Sequence, residues 1–116
     1  MADSNLSPTE LPSVKELTAP ELKVMLDRGE LTLFDVRPPT ERARAAIAAA
    51  RSLDGEEENF LFDLARDTPI AFLCHHGIRS RSAAEYVIQK GFTQVYNVTG
   101  GIEAWSTLVD PSVPRY

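Results

Sequence analysis

The one cysteine of the chain, Cys74, stands where an apolar run, Ile70-Ala71-Phe72-Leu73, gives way to His75-His76-Gly77-Ile78-Arg79-Ser80. Cysteine reacts as its thiolate, which is favoured by nearby cations, by a helix N-terminus and by converging N–H donors. All three are on offer here. Gly77 lets the backbone turn without a side-chain clash, while His75, His76, Arg79 and Arg81 bias the local potential toward anions. A strand that ends on a nucleophile, followed by a loop that opens a helix, leaves backbone N–H groups unpaired and directed at an anion. The layout predicts a reactive thiol. Loop length then narrows the chemistry. Only His75, His76, Gly77 and Ile78 separate Cys74 from Arg79, and cysteine-dependent phosphatases use a loop one residue longer to wrap a phosphate oxyanion. The smaller cavity suits a sulfur atom carried on Cys74 better than a tetrahedral phosphoryl group.

Such a loop needs a scaffold, and the rest of the chain supplies one. Thr18-Ala19-Pro20-Glu21 forms a capping box with Leu17 and Leu22 at the staple positions, so a helix starts there; Leu22, Met25 and Leu26 are its apolar stripe and Gly29 its stop. Leu31 to Val36 reads as a buried strand ended by Pro38-Pro39, and the alanine-rich Thr40 to Ala50 predicts a helix over at least part of its length. Phe60, Leu61 and Leu64 predict another helix, and Ile70 to Leu73 is the strand that carries Cys74. Ala83, Ala84, Val87 and Ile88 form the inner side of the next helix, which Gly91 ends. Gln94 to Val98 is a further strand, and Gly100-Gly101 turns the chain into a last short helix over Ile102 to Ser106. Alternation of this kind predicts an α/β domain with a parallel sheet covered on both faces and its site beyond the carboxyl ends of the strands. Residues 1–12 read as a flexible leader, 13–108 as the domain, and 109–116, with two prolines and a terminal aromatic, as an extended tail laid along it.

Composition bounds the partners. A content of 43% hydrophobic and 25% charged residues over 116 positions fits one globular domain with its own core. The net charge of -5, with no Lys/Arg tract, argues against a nucleic-acid binder. A single cysteine permits no internal disulfide, which agrees with a reducing compartment. Met1 to Pro8 lacks the pattern of a secretory signal and no apolar stretch has membrane length, so no membrane association and a cytoplasmic location are expected. Charge is uneven. Asp54, Glu56, Glu57, Glu58, Asp63 and Asp67 face only Arg66, whereas Arg79, Arg81 and Lys90 outnumber Glu85, which predicts an electropositive surround for the thiol.

Asp35-Val36-Arg37, Glu41, the Cys74 to Ser80 run, Gly91-Phe92 and Gly100-Gly101-Ile102-Glu103-Ala104-Trp105 together resemble a single-domain rhodanese. The resemblance spans most of the chain after Ser13. It implies a doubly wound α/β fold with a mainly parallel sheet of about five strands, and transfer of a sulfane sulfur. By the same resemblance the Cys74 thiolate attacks the outer sulfur of a small anionic donor such as thiosulfate, becomes a persulfide, and passes the sulfur to cyanide or a thiol, with no cofactor. The N–H groups from His75 to Ser80 then stabilise the charge, and Arg79 orients the donor or fixes the loop. The run Ala45-Ala46-Ile47-Ala48-Ala49-Ala50 departs from the family, many of whose members carry a histidine, a proline and two glycines there, which predicts an altered local backbone. The tail resembles those of rhodanese domains fused to adenylating enzymes or glutaredoxins, implying a sulfur-carrier or small thiol protein as acceptor.

Asp35 and Arg37, two apart at a strand end, are expected to pair and to support the site from one face, with Glu41 nearby. A metal at His75 and His76 is not expected, because consecutive side chains rarely converge on one ion. Gly100-Gly101 lacks a phosphate-binding fingerprint and reads as a tight turn beside the site. Phe92 and Trp105 are expected in the core, and Glu56 to Glu58 in a solvated connection. Two rival readings stay open: a non-catalytic rhodanese-like module that binds a partner, and a small cysteine phosphatase or arsenate reductase of the same fold, against which the short loop and the lack of an obvious acidic general acid following Arg79 count.

Overall fold

The computed structural model describes residues 13–53 and 56–116; the leader expected over residues 1–12 lies outside them. The elements follow in the order β1 (Lys15–Leu17), α1 (Ala19–Asp27), β2 (Thr32–Asp35), α2 (Pro39–Arg42), β3 (Arg51–Ser52), α3 (Glu56–Asp63), β4 (Ile70–Leu73), α4 (Arg79–Gln89), β5 (Val95–Val98) and α5 (Gly101–Leu108). Five strands form one sheet in the order β1-β5-β4-β2-β3, and every neighbouring pair is parallel. Parallel strands must be connected over a face of the sheet, so helices cover both sides. The doubly wound α/β fold expected from the sequence is the one observed.

Alternation along the strands decides which side chain faces which layer. Leu33, Ala71, Leu73 and Val98 face one core with Ala19 and Leu22 of α1 and Ile102 and Trp105 of α5. Phe34, Ile70, Phe72 and Val95 face the other, with Leu61 of α3, Ala84 and Val87 of α4, and Phe92. The Phe34 and Phe72 rings stack across β2 and β4 with centroids 5.8 Å apart; truncating either to alanine costs about 3–5 kcal/mol. All four residues of β4 are buried, as suits a central parallel strand. Phe92 and Trp105 are core aromatics, as their sequence context predicts.

Helix α1 begins as its sequence dictates. The Glu21 N–H donates to Thr18 Oγ1 at 3.3 Å and the Thr18 N–H to Glu21 Oε1 at 2.8 Å. Elsewhere the chain departs from its local pattern. The alanine run is helical only in the single turn of α2, after which residues 43–50 run through two turns and irregular chain. Ala45 and Ile47 are drawn into the core, and the Ala45 carbonyl accepts from Arg37 Nη2 at 2.7 Å instead of continuing a helix. Tertiary packing overrides alanine propensity here. Glu56 to Glu58, expected as a solvated connection, form the first turn of α3, where their charges complement the helix N-terminus. Strands β1 and β3 were not foreseen, being three and two residues long and largely polar. Among the described residues no helix is long and apolar enough to cross a membrane.

Candidate active site

Strand β4 delivers Cys74 to its carboxyl end, where the chain turns over His75 to Ile78 into α4. The residue is 1% exposed, with its sulfur facing the loop. The Gly77 N–H donates to Cys74 Sγ at 3.1 Å and the Ser80 hydroxyl approaches it at 3.2 Å. Burial pushes the thiol pKa up, but the Ser80 hydroxyl and the N–H groups of Ser80, Gly77 and His76 outweigh it and hold the thiol below its ordinary value. The sulfur thus sits in a cradle of neutral donors, built by the loop itself.

Two glycines make that cradle. Gly77 has φ +95°, and a Cβ there would lie 3.0 Å from the Val98 carbonyl. Gly101 opens α5 so close to the loop that a Cβ would lie 2.4 Å from the carbonyls of both Cys74 and His75. That proximity is used, since the Ile102 N–H donates to the Cys74 carbonyl at 2.9 Å and the Glu103 N–H to that of His75 at 3.2 Å. The double glycine is therefore the tight turn beside the site that its sequence suggests.

A buried polar bridge supports the loop from behind. The single Ser80 hydroxyl proton is shared between two acceptors, Cys74 Sγ at 3.2 Å and Asn97 Oδ1 at 2.5 Å, while Asn97 Nδ2 donates to the Gly77 carbonyl at 2.9 Å and faces Glu16 of β1. Asn97 and Glu16 were not singled out by the sequence, because the strand pairing that joins them links residues 81 positions apart.

The charged side of the site differs from expectation. Arg79 is held by Glu41, Nη1 to Oε2 at 2.8 Å and Nη2 to Oε1 at 2.9 Å, and Arg81 pairs with Glu16. The expected electropositive surround is thus neutralised by carboxylates from distant segments. Arg79 and the Tyr116 hydroxyl hold the Glu41 carboxyl down at about 2. Burial and repulsion from His76 lower the His75 pKa, so His75 adds little positive charge. Ile78, at the turn into α4, is 78% exposed on the rim.

Asp35 and Arg37 form the buried pair their spacing predicts, Nη2 to Oδ2 at 2.6 Å and Nε to Oδ1 at 2.9 Å. Glu41 accepts from Arg37 only through its backbone carbonyl, at 3.4 Å. Burial pushes the Arg37 guanidinium down, and bonds to Asp35 and Tyr116 more than offset it. The pair sets the backbone beside the site and does not reach the sulfur cradle. His75, His76 and Glu103 place ligand-type atoms within 4.8 Å of one another. The two imidazoles, however, stack at 3.9 Å between centroids and 22° between planes. Lone pairs lie in the ring planes, so those of stacked rings run side by side and do not converge on one ion, and Glu103 already binds Arg115.

The family model of the rhodanese-like domain matches residues 18–108. The chain belongs to the rhodanese family. A thiosulfate sulfurtransferase GlpE from Pseudomonas paraeruginosa is 35% identical to this rhodanese over 91 residues, 78% of this chain and 83% of the relative. A rhodanese-like domain protein from Staphylococcus aureus superposes with a TM-score of 0.70 at 27% identity, over 89% of this chain and 99% of that one. The human single-domain sulfurtransferase TSTD1 superposes with a TM-score of 0.68 at 26% identity, over 84% and 96%. This rhodanese is an enzyme of the sulfurtransferase type.

Proposed function

We propose that Cys74 carries sulfane sulfur as a persulfide between a small anionic donor and a thiophilic acceptor. With thiosulfate, the Cys74 thiolate attacks the outer sulfur; a new S–S bond forms, the S–S bond of thiosulfate breaks, and sulfite leaves with the bonding pair. Cyanide or a thiolate then takes the outer sulfur, leaving as thiocyanate or a new persulfide, and the Cys74 thiolate is restored. No outside oxidant or metal enters either step. One observation carries this reading: the N–H of Gly77 and the hydroxyl of Ser80 both face Sγ, at 3.1 and 3.2 Å. The Gly77 N–H, and the Ser80 proton that Sγ shares with Asn97 Oδ1, lower the cost of the sulfur's charge both as the attacking thiolate and as the group released when the acceptor attacks. The short loop places them against the sulfur, an arrangement that suits a sulfur atom better than a tetrahedral phosphoryl group. Arg79, next to Ser80 at the start of α4, supplies the positive charge that orients the donor. Its exposed neighbour Ile78 gives an apolar foothold to a thiol-bearing partner protein.

Intact-protein mass after brief exposure to thiosulfate tests the reading. A gain of one sulfur atom on Cys74, removed by cyanide, is expected in the native chain and absent from Cys74→Ser, which keeps the volume of the side chain but cannot form a persulfide. An unchanged native mass, or transfer by Cys74→Ser at the native rate, would overturn it.

A further inference from the structure

The segment after α5 is fastened to the domain along its length. Val113 is buried among Leu22, Ile102 and Trp105, and its carbonyl accepts from Ser106 Oγ. Arg115 Nε donates to Glu103 Oε2 at 2.7 Å. These anchors bring Tyr116 to the mouth of the cysteine loop. Its ring stacks on His75, with centroids 3.9 Å apart and planes 9° apart. Its hydroxyl donates to Glu41 Oε1 at 2.6 Å and accepts from Arg37 Nη1 at 2.9 Å. Tyr116 therefore adjoins the residue after Cys74 and the carboxylate that occupies Arg79.

The direction of these bonds matters. Arg37 is locked by Asp35 in a pair whose side chains are 0% and 2% exposed, so the phenol hangs from a fixed point. From that point it donates to Glu41, whose other bonds go to an Arg79 side chain that is 45% exposed. Glu41 is consequently tethered through Oε1 on its rigid side while both its carboxylate oxygens engage Arg79, a partly exposed cation at the start of α4. An incoming dianion meets an arginine already satisfied and a carboxylate that repels it.

We propose that Tyr116 is a specificity-determining residue, clamping Glu41 onto Arg79 so that a small anionic sulfur donor must displace a carboxylate before it can use the arginine. The inference rests on the persulfide reading above. It separates the two half-reactions, because sulfur release to the acceptor brings no dianion to the mouth. Tyr116→Phe keeps the stack on His75 and removes only the hydroxyl tether. Glu41→Gln keeps the shape and removes the competing charge.

The test compares kcat/KM for thiosulfate with kcat/KM for cyanide in the native chain, Tyr116→Phe and Glu41→Gln. In a double displacement each ratio reports its own half-reaction. The expected result is a rise of about threefold to tenfold for thiosulfate in Tyr116→Phe, the range set by the net worth of one partly exposed hydrogen bond. Glu41→Gln should rise at least as far, with cyanide within about twofold of native in both. An unchanged or lower value for thiosulfate in Tyr116→Phe overturns the clamp, as does a parallel change in both ratios. Failure of the persulfide reading looks different, since the native chain itself then gains no sulfur from thiosulfate.

Discussion

The groups that face Cys74 Sγ come from within six residues of it, Gly77 and Ser80, whereas those that close the mouth lie 38 to 79 positions from their partners. The first set is made of neutral dipoles in a buried turn, with Ser80 wholly inaccessible; the second is made of whole charges, half-exposed, on Glu41 and Arg79. The difference reflects two tasks. Neutral donors stabilise charge on sulfur without adding a counter-ion that would have to be displaced at each turnover. Charged groups act at longer range and select what approaches, but they are screened by salt and adjusted by one another. Chemistry and selection are thereby assigned to physically different parts of one small site.

Three variants probe that division, the strongest first. Gly101→Ala drives a Cβ into the carbonyls of Cys74 and His75 at 2.4 Å, and neither carbonyl can yield without moving the loop. A loss of about 3 kcal/mol in stability is expected, together with at least a tenfold fall in transfer, because overpacking here displaces the cradle itself. Native-like denaturant unfolding and native rates would show that the cradle does not depend on this close approach. Ser80→Ala should leave the mouth intact and remove one donor from the sulfur. The thiol pKa should then rise by roughly one to two pH units, read from the pH dependence of alkylation, as befits a hydrogen bond to a charged group. An unmoved inflection would assign the depressed pKa to the backbone donors alone.

The smallest effect is expected at the mouth. Arg79 and the Tyr116 hydroxyl hold the Glu41 carboxyl down at about 2, below its ordinary value of 4.5, so its bonds contribute stability above pH 4.5 that is lost as the pH falls through about 2. Thermal melts of the native chain and Glu41→Gln should differ at neutral pH and converge across that window. A gap that persists at the acid end would mean that shape, not charge, is what Glu41 provides.

The cradle was legible in the sequence and the mouth was not. Cys74, Gly77 and Ser80 are neighbours in a strand-turn-helix pattern, and the capping box at Thr18 and the breaks at Gly29 and Gly91 are equally local signals. Strands β2, β4 and β5 announced themselves by short apolar runs. By contrast, nothing in the residues around Glu41 pairs it with Arg79, and Tyr116 follows two prolines in a stretch with no period. Local sequence pointed Glu41 toward Arg37, four positions before it, yet Asp35 takes that guanidinium because it shares the buried strand end. The alanine run shows the same limit from the other side: its helix propensity is overruled by the pull of Ala45 and Ile47 into the core. Charge counting failed for a related reason. An excess of cations within a segment says nothing of the carboxylates that folding will lay against them.

The order of the strands carries one more consequence, for the timing of assembly. Among the described residues strand β1 pairs only with β5, joining Lys15–Leu17 to Tyr96–Val98, so the first of the five strands must wait for the last before it has a partner. Closing so long a loop is slow compared with forming the β2–β4 pair, whose registers lie within about half that separation. A growing chain would therefore present Cys74 on a half-built sheet, with Glu16 still unable to reach Asn97, Thr99 or Arg81. The polar bridge behind the cysteine loop is completed only when the two distant strands zip together.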